Sequence, residues 1–437
     1  MKLDLRSLGA TERFFAEMTP SAGMNVVTLA WLSGPLDLLS LPSKIARLQQ
    51  QLVLLQVGIS QDSKDTWRFV MANTSAVPVA TYVVPQQQFT TTVEHEMATQ
   101  SQLAFSVNAP LWRLSLISSG REKHALILTL HHTICDGRSA VTLLDTIICA
   151  LNNSPALAVL SQPYPLNPSL NTLLESVESD FAQVPFAPRQ SSEALQSWID
   201  THNDTTGLRY NQLGFITFTP EQTSQMLAAC REHQLTLNAL LYGALAQCLY
   251  RAAKPKQTEM TLGGNIDLRA LFALPEPDNP FGCFAGMCSI LLRHAPQTSL
   301  WALAEQAKVA FDAAISSGSY INTGKDAWWE AARNIENPGA SHDQGRFSPG
   351  HLSNLGRITL KSAHQPLHIT HLFMTASQHF VGATYWLGAA CVNERLCLTL
   401  NTSAPGISAT AHEQFKRDLK QVLLSALDRE ALPLEVV

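Results

Sequence analysis

"LTLHHTICDGRSA", residues 128–140, closes an apolar run with two adjacent histidines and then, after three residues of mixed character, Asp136-Gly137. Upstream, "PLWRLSLIS" (110–118), the turn "SGREK" and "HALILTLHH" (124–132) read as a β-hairpin that feeds the histidine pair. From Arg138 the period becomes helical, with Ala140, Leu143, Leu144, Ile147 and Ile148 on one stripe. The motif therefore occupies a strand-to-helix corner, where a rigid scaffold fixes side chains and a short loop exposes them.

Neighbouring side chains on a strand point to opposite faces, so His131 and His132 cannot both chelate one metal without a bulge. No Cys/His/Glu cluster elsewhere supplies further ligands, and no metal is expected. A neutral imidazole accepts a proton at cellular pH. Asp136 can accept backbone or Arg hydrogen bonds and fix the corner, and Gly137 permits either positive φ or close backbone approach. Together these residue types suit removal of a proton from an incoming nucleophile. The plainer alternative is a pair of histidines hydrogen-bonded within a core.

A chain of 437 residues suits two domains of about 150 to 220 residues each. A net charge of −5 lacks the basic footprint of nucleic-acid binding. No apolar run reaches the roughly 18 residues of a transmembrane segment, and "MKLDLRSLGATERFF" does not read as a signal peptide. The eight cysteines stand singly in apolar surroundings, without zinc or disulfide spacing, which fits buried thiols in a reducing cytoplasm.

Strand-like and helix-like segments alternate, the mark of an α/β protein. Strands are expected at 24–34, 67–70 and 79–84, and a helix from about Pro42 to Leu55. Residues 152–207 are rich in Pro, Asn and Ser and read as a crossover, giving an N-terminal subdomain over 1–165, a linker over 166–207 and a C-terminal subdomain over 208–437. In the second half, strand 213–218 precedes a helix capped by Thr219, Pro220 and Gln222. Helices at 220–233, 237–252 and 299–316, strand 259–268, a polar loop at 335–351 and strands at 355–361, 367–375, 380–389 and 394–401 follow. Thr410 and Glu413 are expected to cap the last helix.

His-His-x-x-x-Asp-Gly at a strand end, in the first half of a chain of this size, resembles the CoA-dependent acyltransferase superfamily. That group includes chloramphenicol acetyltransferases, alcohol acetyltransferases, polyketide-associated acyltransferases and peptide-synthetase condensation domains. "GGNIDLRALFALPEPDNPFGCFAGM" (263–287) resembles its second-domain signature, "TSQMLAACREHQLTLNALLYGALAQCL" (223–249) its helix pair, and "HLSNLGRI" (351–358) its Ser-Asn-x-Gly element. The plant-type Asp-Phe-Gly-Trp-Gly motif is absent, as is the early His-Pro pair of many condensation enzymes.

The resemblance implies two similar chloramphenicol acetyltransferase-like α/β domains forming a V, with a channel at their junction. It implies His132 as general base, His131 as support, Asp136 paired with Arg269, Gly137 at the corner, and Ser353 and Asn354 as oxyanion or acceptor contacts. No bound cofactor is implied; the co-substrate is acyl-CoA or a phosphopantetheinyl thioester on an acyl carrier protein. The acceptor is a small alcohol or amine. The expected activity is acyl transfer; the alternatives are a stand-alone amide-forming condensation enzyme, or a non-catalytic lipid- or carrier-binding protein of the same fold.

Three other groups read more plainly. His364, His368, His371 and His379 are irregularly spaced and read as scattered histidines. Trp328-Trp329 reads as a buried helix face, with an acyl-tunnel lining as the alternative. Arg251, Lys254 and Lys256 lie at a helix end, where basic residues suit the dipole.

Overall fold

The computed structural model describes residues 4–63, 65–73, 78–154, 164–175, 177, 191–199, 209–275, 279–321 and 345–427. The N-terminal half contains β1 (Asp4–Ser7), α1 (Ala10–Ala22), β2 (Asn25–Ser33), α2 (Leu41–Gln51), β3 (Val57–Gln61), β4 (Trp67–Met71) and β5 (Val79–Val83). It continues with α3 (Gln86–Gln100), β6 (Trp112–Ser119), β7 (Lys123–His131) and α4 (Gly137–Leu151). Two short helices, α5 (Leu170–Glu175) and α6 (Ser192–Leu195), follow. The second half holds β8 (Tyr210–Thr217), α7 (Pro220–Glu232), α8 (Leu237–Ala252), β9 (Glu259–Asp267), β10 (Ala285–Arg293) and α9 (Leu300–Ser317). It ends with β11 (Arg346–Arg357), β12 (His368–Ala376), β13 (Gly382–Val392), β14 (Arg395–Ala404) and α10 (Ala409–Ser425).

Two large mixed sheets organise these elements, in the orders β12-β2-β7-β6-β5 and β10-β9-β11-β13-β14-β8, with a small third sheet β1-β4-β3. The hairpin β6–β7 is antiparallel, and its near-continuous burial follows from strands covered on both faces, by α4 on one side and α3 on the other. Sheet membership does not follow the halves of the chain. β12 falls within 208–437, yet it pairs antiparallel with β2 and extends the first half's sheet, while β11 and β13 beside it in sequence pair with each other in the second. β11 is the strand on which the second sheet turns, parallel to both β9 and β13.

Several expectations need correction. The helix from Pro42 stops at Gln51, because Leu52 turns extended and bridges Tyr164; a 3₁₀ turn, Val53–Gln56, follows. Residues 346–351 of the expected loop are strand: Pro349 and Gly350 read as breakers, but the parallel register steps from Ser348–Ala383 to Gly350–Tyr385, so no ladder bond needs the missing proline N–H. Residues 335–344, like Trp328-Trp329, lie outside the described residues. The last helix starts at Ala409, capped by Ser408, whose hydroxyl accepts from the Ala411 N–H at 3.2 Å; Glu413 pairs with Lys416 instead. The Thr219 capping box is present. Lys256 donates to the Tyr250 and Arg251 carbonyls at the end of α8, where the helix dipole favours a cation. All eight cysteines are buried and free.

Candidate active site

β7 ends at His131, and a tight turn, closed by Ile134 N–H to the His131 carbonyl at 3.0 Å, carries the chain into α4. His131 is fully buried. The Thr19 hydroxyl gives its hydrogen to the Phe15 carbonyl at 2.7 Å, so it accepts from Nε2–H of His131 at 2.6 Å. Nδ1 then accepts from the Thr133 backbone N–H. Burial, with the neighbouring His132 and Arg113 charges, pushes the ring down to about 3. His131 is a neutral strut between β7 and α1.

His132 has the opposite tautomer. Its Nδ1 lies 2.8 Å from the Cys135 carbonyl, which can only accept, so Nδ1 carries the hydrogen and Nε2 keeps a lone pair. Phe15 stacks on the ring at 4.1 Å and 10°, and the Cys283 sulfur lies 3.7 Å from Nδ1. Burial lowers the ring's pKa against the raising influence of Asp136, so the free ring is neutral. His132 lines a cavity of about 340 Å³ whose walls come from both halves: Phe14 and Phe15 of α1, Asn265 of β9, and His351, Ser353 and Asn354 of β11.

Asp136 is tied down by donors from both halves of the chain. It is the N-cap of α4, accepting from Ser139 N–H at 2.9 Å, and it also accepts from Phe284 N–H of the second half at 2.8 Å. Both terminal nitrogens of Arg269, Nη1 and Nη2, reach it, at 2.9 and 3.0 Å. Burial alone would raise the carboxyl; Arg269 and the backbone donors outweigh it and hold it below the usual carboxylate range. Asp267 shares Arg269 at 2.9 Å and binds Arg138, also at 2.9 Å. Ser139 completes the knot, donating to the Gly282 carbonyl at 2.7 Å and accepting from Arg269 at 2.8 Å. Gly137 does not have positive φ; its use is close approach, since a Cβ there would stand 3.0 Å from Leu355 and 3.2 Å from Met374. Ser353 lies on the cavity wall, its hydroxyl without a hydrogen bond among the described residues, whereas the Asn354 side chain engages Asn238 at 3.1 Å and the Gly356 N–H at 2.9 Å.

The structure thus gathers His132, Asp136, Gly137, Arg269, Ser353 and Asn354 around one cavity. It adds Phe15, Asn265 and His351 to the cavity wall, with Thr19 supporting His131 and Ser139 supporting Arg269, all of which sequence reasoning missed. Among the described residues, no group of three His, Cys, Asp or Glu side chains could hold a metal ion, and no helix is long and apolar enough to cross a membrane.

Comparison with solved structures gives the same architecture end to end. Polyketide synthase associated protein 5 from Mycobacterium tuberculosis matches with a TM-score of 0.68 at 17% identity, covering 98% of this chain and 99% of that one. The condensation domain of Monacolin K polyketide synthase matches with a TM-score of 0.67 at 12% identity, covering 99% of both chains. The chain has the chloramphenicol acetyltransferase-like fold. A family model described as the phthiocerol/phthiodiolone dimycocerosyl transferase C-terminus matches residues 211–384. Among curated proteins, cyclosporin synthetase of Tolypocladium inflatum is 27% identical over 262 residues, which are 53% of this chain and 2% of that protein. A nonribosomal peptide synthetase of Arthrobotrys oligospora is 23% identical over 211 residues, 46% of this chain and 6% of the synthetase. The likeness is therefore to condensation and acyltransferase-type proteins, and the matched stretch is a small fraction of each curated relative. In this chloramphenicol acetyltransferase-like chain, the cavity and the Asp136–Arg269 pair both lie where the two halves meet.

Proposed function

We propose that the chain is an acyltransferase that moves an acyl group from a thioester, on CoA or a carrier protein, to an alcohol or amine. The observation that carries this reading is the His132 tautomer: Nδ1–H is committed to the Cys135 carbonyl, and Nε2 is the ring's free basic nitrogen on a cavity between the halves. Nε2 takes the proton of the acceptor as its oxygen or nitrogen attacks the thioester carbonyl. The tetrahedral oxyanion collapses, the carbon–sulfur bond breaks, and the imidazolium returns its proton to the departing thiolate. General-base help of this kind is worth about 10² to 10⁴ in rate, and holding two substrates in one cavity supplies much of the rest. The Ser353 hydroxyl is the donor offered to the oxyanion. Asp136 and Arg269 hold the corner and take no proton.

The likeness to condensation domains and to peptide synthetases favours, as a second reading, amide formation between carrier-borne substrates. Eight free, buried thiols support a reducing compartment, the cytoplasm. Thiol release from acyl-CoAs and acyl carrier thioesters, with pooled alcohols and pooled amines, separates these readings. Turnover with alcohols makes it an ester-forming enzyme, and turnover confined to carrier-borne amines makes it a condensation enzyme. No turnover of any pair supports a non-catalytic binding protein of this fold.

A further inference from the structure

β9 and β11 meet over a short parallel register, His351 opposite Gly263 and Leu352 opposite Gly264. Each contributes to the cavity a side chain that the scheme above does not use, Asn265 and His351. Nε2 of His351 and Oδ1 of Asn265 are hydrogen-bonded in a close contact. The ring's other nitrogen decides which atom donates. Nδ1 is buried without a hydrogen-bond partner, and it lies so near Gly263 that a Cβ there would overlap it. A ring N–H sealed against a Cα would be an orphaned donor, the rarer kind of buried polar group, whereas a lone pair facing C–H hydrogens is tolerated. His351 therefore carries its hydrogen on Nε2 and gives it to Asn265 Oδ1. Burial holds the ring down to about 4, which keeps it neutral at cellular pH.

This fixes Asn265. An amide whose oxygen is already engaged cannot rotate to present that oxygen elsewhere. What remains is Nδ2, with two N–H donors, on a half-buried residue of the cavity wall, and it has no hydrogen-bond partner among the described residues. An oriented donor without a partner on the wall of a cavity is matched to an acceptor that arrives with a ligand.

We infer that Asn265 is a substrate-binding residue, whose Nδ2 donates to a neutral carbonyl or hydroxyl oxygen of the bound donor or acceptor, and that His351 is the positioning residue that fixes its orientation. The inference rests on the acyl-transfer reading above. Nothing in it requires His351 to move a proton.

The test is initial-rate kinetics with donor and acceptor both varied. Asn265→Asp is the informative variant: a carboxylate oxygen still accepts from His351, so the tie between β9 and β11 stays, but the N–H donors are gone. Asn265→Asp and Asn265→Ala are each expected to raise one KM by about five- to twentyfold with kcat within about threefold of wild type. The KM that moves names the substrate whose oxygen is bound. His351→Ala is expected to raise the same KM, and His351→Gln, whose Nε2 reaches the place of the imidazole Nε2, to restore it to within about threefold. A mere strut would show as lowered thermal stability with both KM values unchanged. If both KM values stay within about twofold of wild type in Asn265→Asp and Asn265→Ala, the inference is overturned alone. Wild-type protein that turns over no thioester overturns the acyl-transfer reading and this inference with it.

Discussion

His131 and His132 are adjacent in sequence and opposite in role, and their partners make the difference. Nδ1 of His131 accepts from the Thr133 N–H, which puts the hydrogen on Nε2 for Thr19; Nδ1 of His132 must donate to the Cys135 carbonyl, which frees Nε2. In the proposed reaction the neutral His132 ring is the base, and its pKa lies below the ordinary 6.5, so acid should remove activity only once pH falls below that value. The pH profile of kcat/KM should therefore be level through neutrality, with its acid limb centred below 6.5. An inflection above that value would contradict the desolvated ring. Asp136→Asn removes one of the two carboxylates paired with Arg269, leaving Asp267, and should cost up to about 3 kcal/mol in urea unfolding. The sign with pH is fixed: a depressed carboxylate stabilises the fold above its unfolded pKa of about 3.9, and that contribution is lost as pH falls through the lower folded value. The stability difference between wild type and Asp136→Asn should accordingly shrink in acid.

At the level of elements, the strand-to-helix corner was legible because its signals are local: an apolar run that closes on two histidines, Asp136-Gly137, and a helical stripe that begins after them; Asp136 proves to be the N-cap of α4. The helix pair α7 and α8 was legible for the same reason, through Thr219, Pro220 and Gln222. α1 and α3 were not. In α1, Pro20 reads as a stop, yet the helix runs on to Ala22, held at its start by Glu12, which accepts from Gly9 N–H at 2.8 Å and pairs with Arg6 at 2.7 Å. In α3 only Phe89, Val93 and Met97 mark a narrow buried stripe in a polar sequence. The contacts that tune the site link residues far apart, such as Thr19 with His131 and His351 with Asn265, and such pairs leave no spacing to read. Because α1 stacks Phe15 on His132, Phe15→Ala should cost about 3 kcal/mol or more in urea unfolding and lower kcat as well. A stability loss with kcat unchanged would mean the stack does not orient the base.

For the whole molecule, the composition of 152–207 reads as a crossover, but the passage of β12 into the first half's sheet leaves no such mark, since His368–Ala376 reads like any other strand of the second half. The exchange ties the halves together: without β12, β2 would present an open edge from Val26 to Ser33. Fragments 1–207 and 208–437 should each lack fixed near-ultraviolet circular dichroism when made alone and recover it when co-expressed. A native-like spectrum from 1–207 by itself would show that β12 is dispensable to that sheet. The cavity depends on the same union, with α1 on one wall and β9 and β11 on another. The proposed reaction turns on deprotonation of the acceptor by Nε2 of His132, and it is tested by single-turnover thiol release from wild type and His132→Ala with the same thioester and acceptor. A fall of about a hundredfold or more with the thermal midpoint preserved is expected; a folded His132→Ala that releases thiol within about threefold of the wild-type rate would rule out His132 as the base.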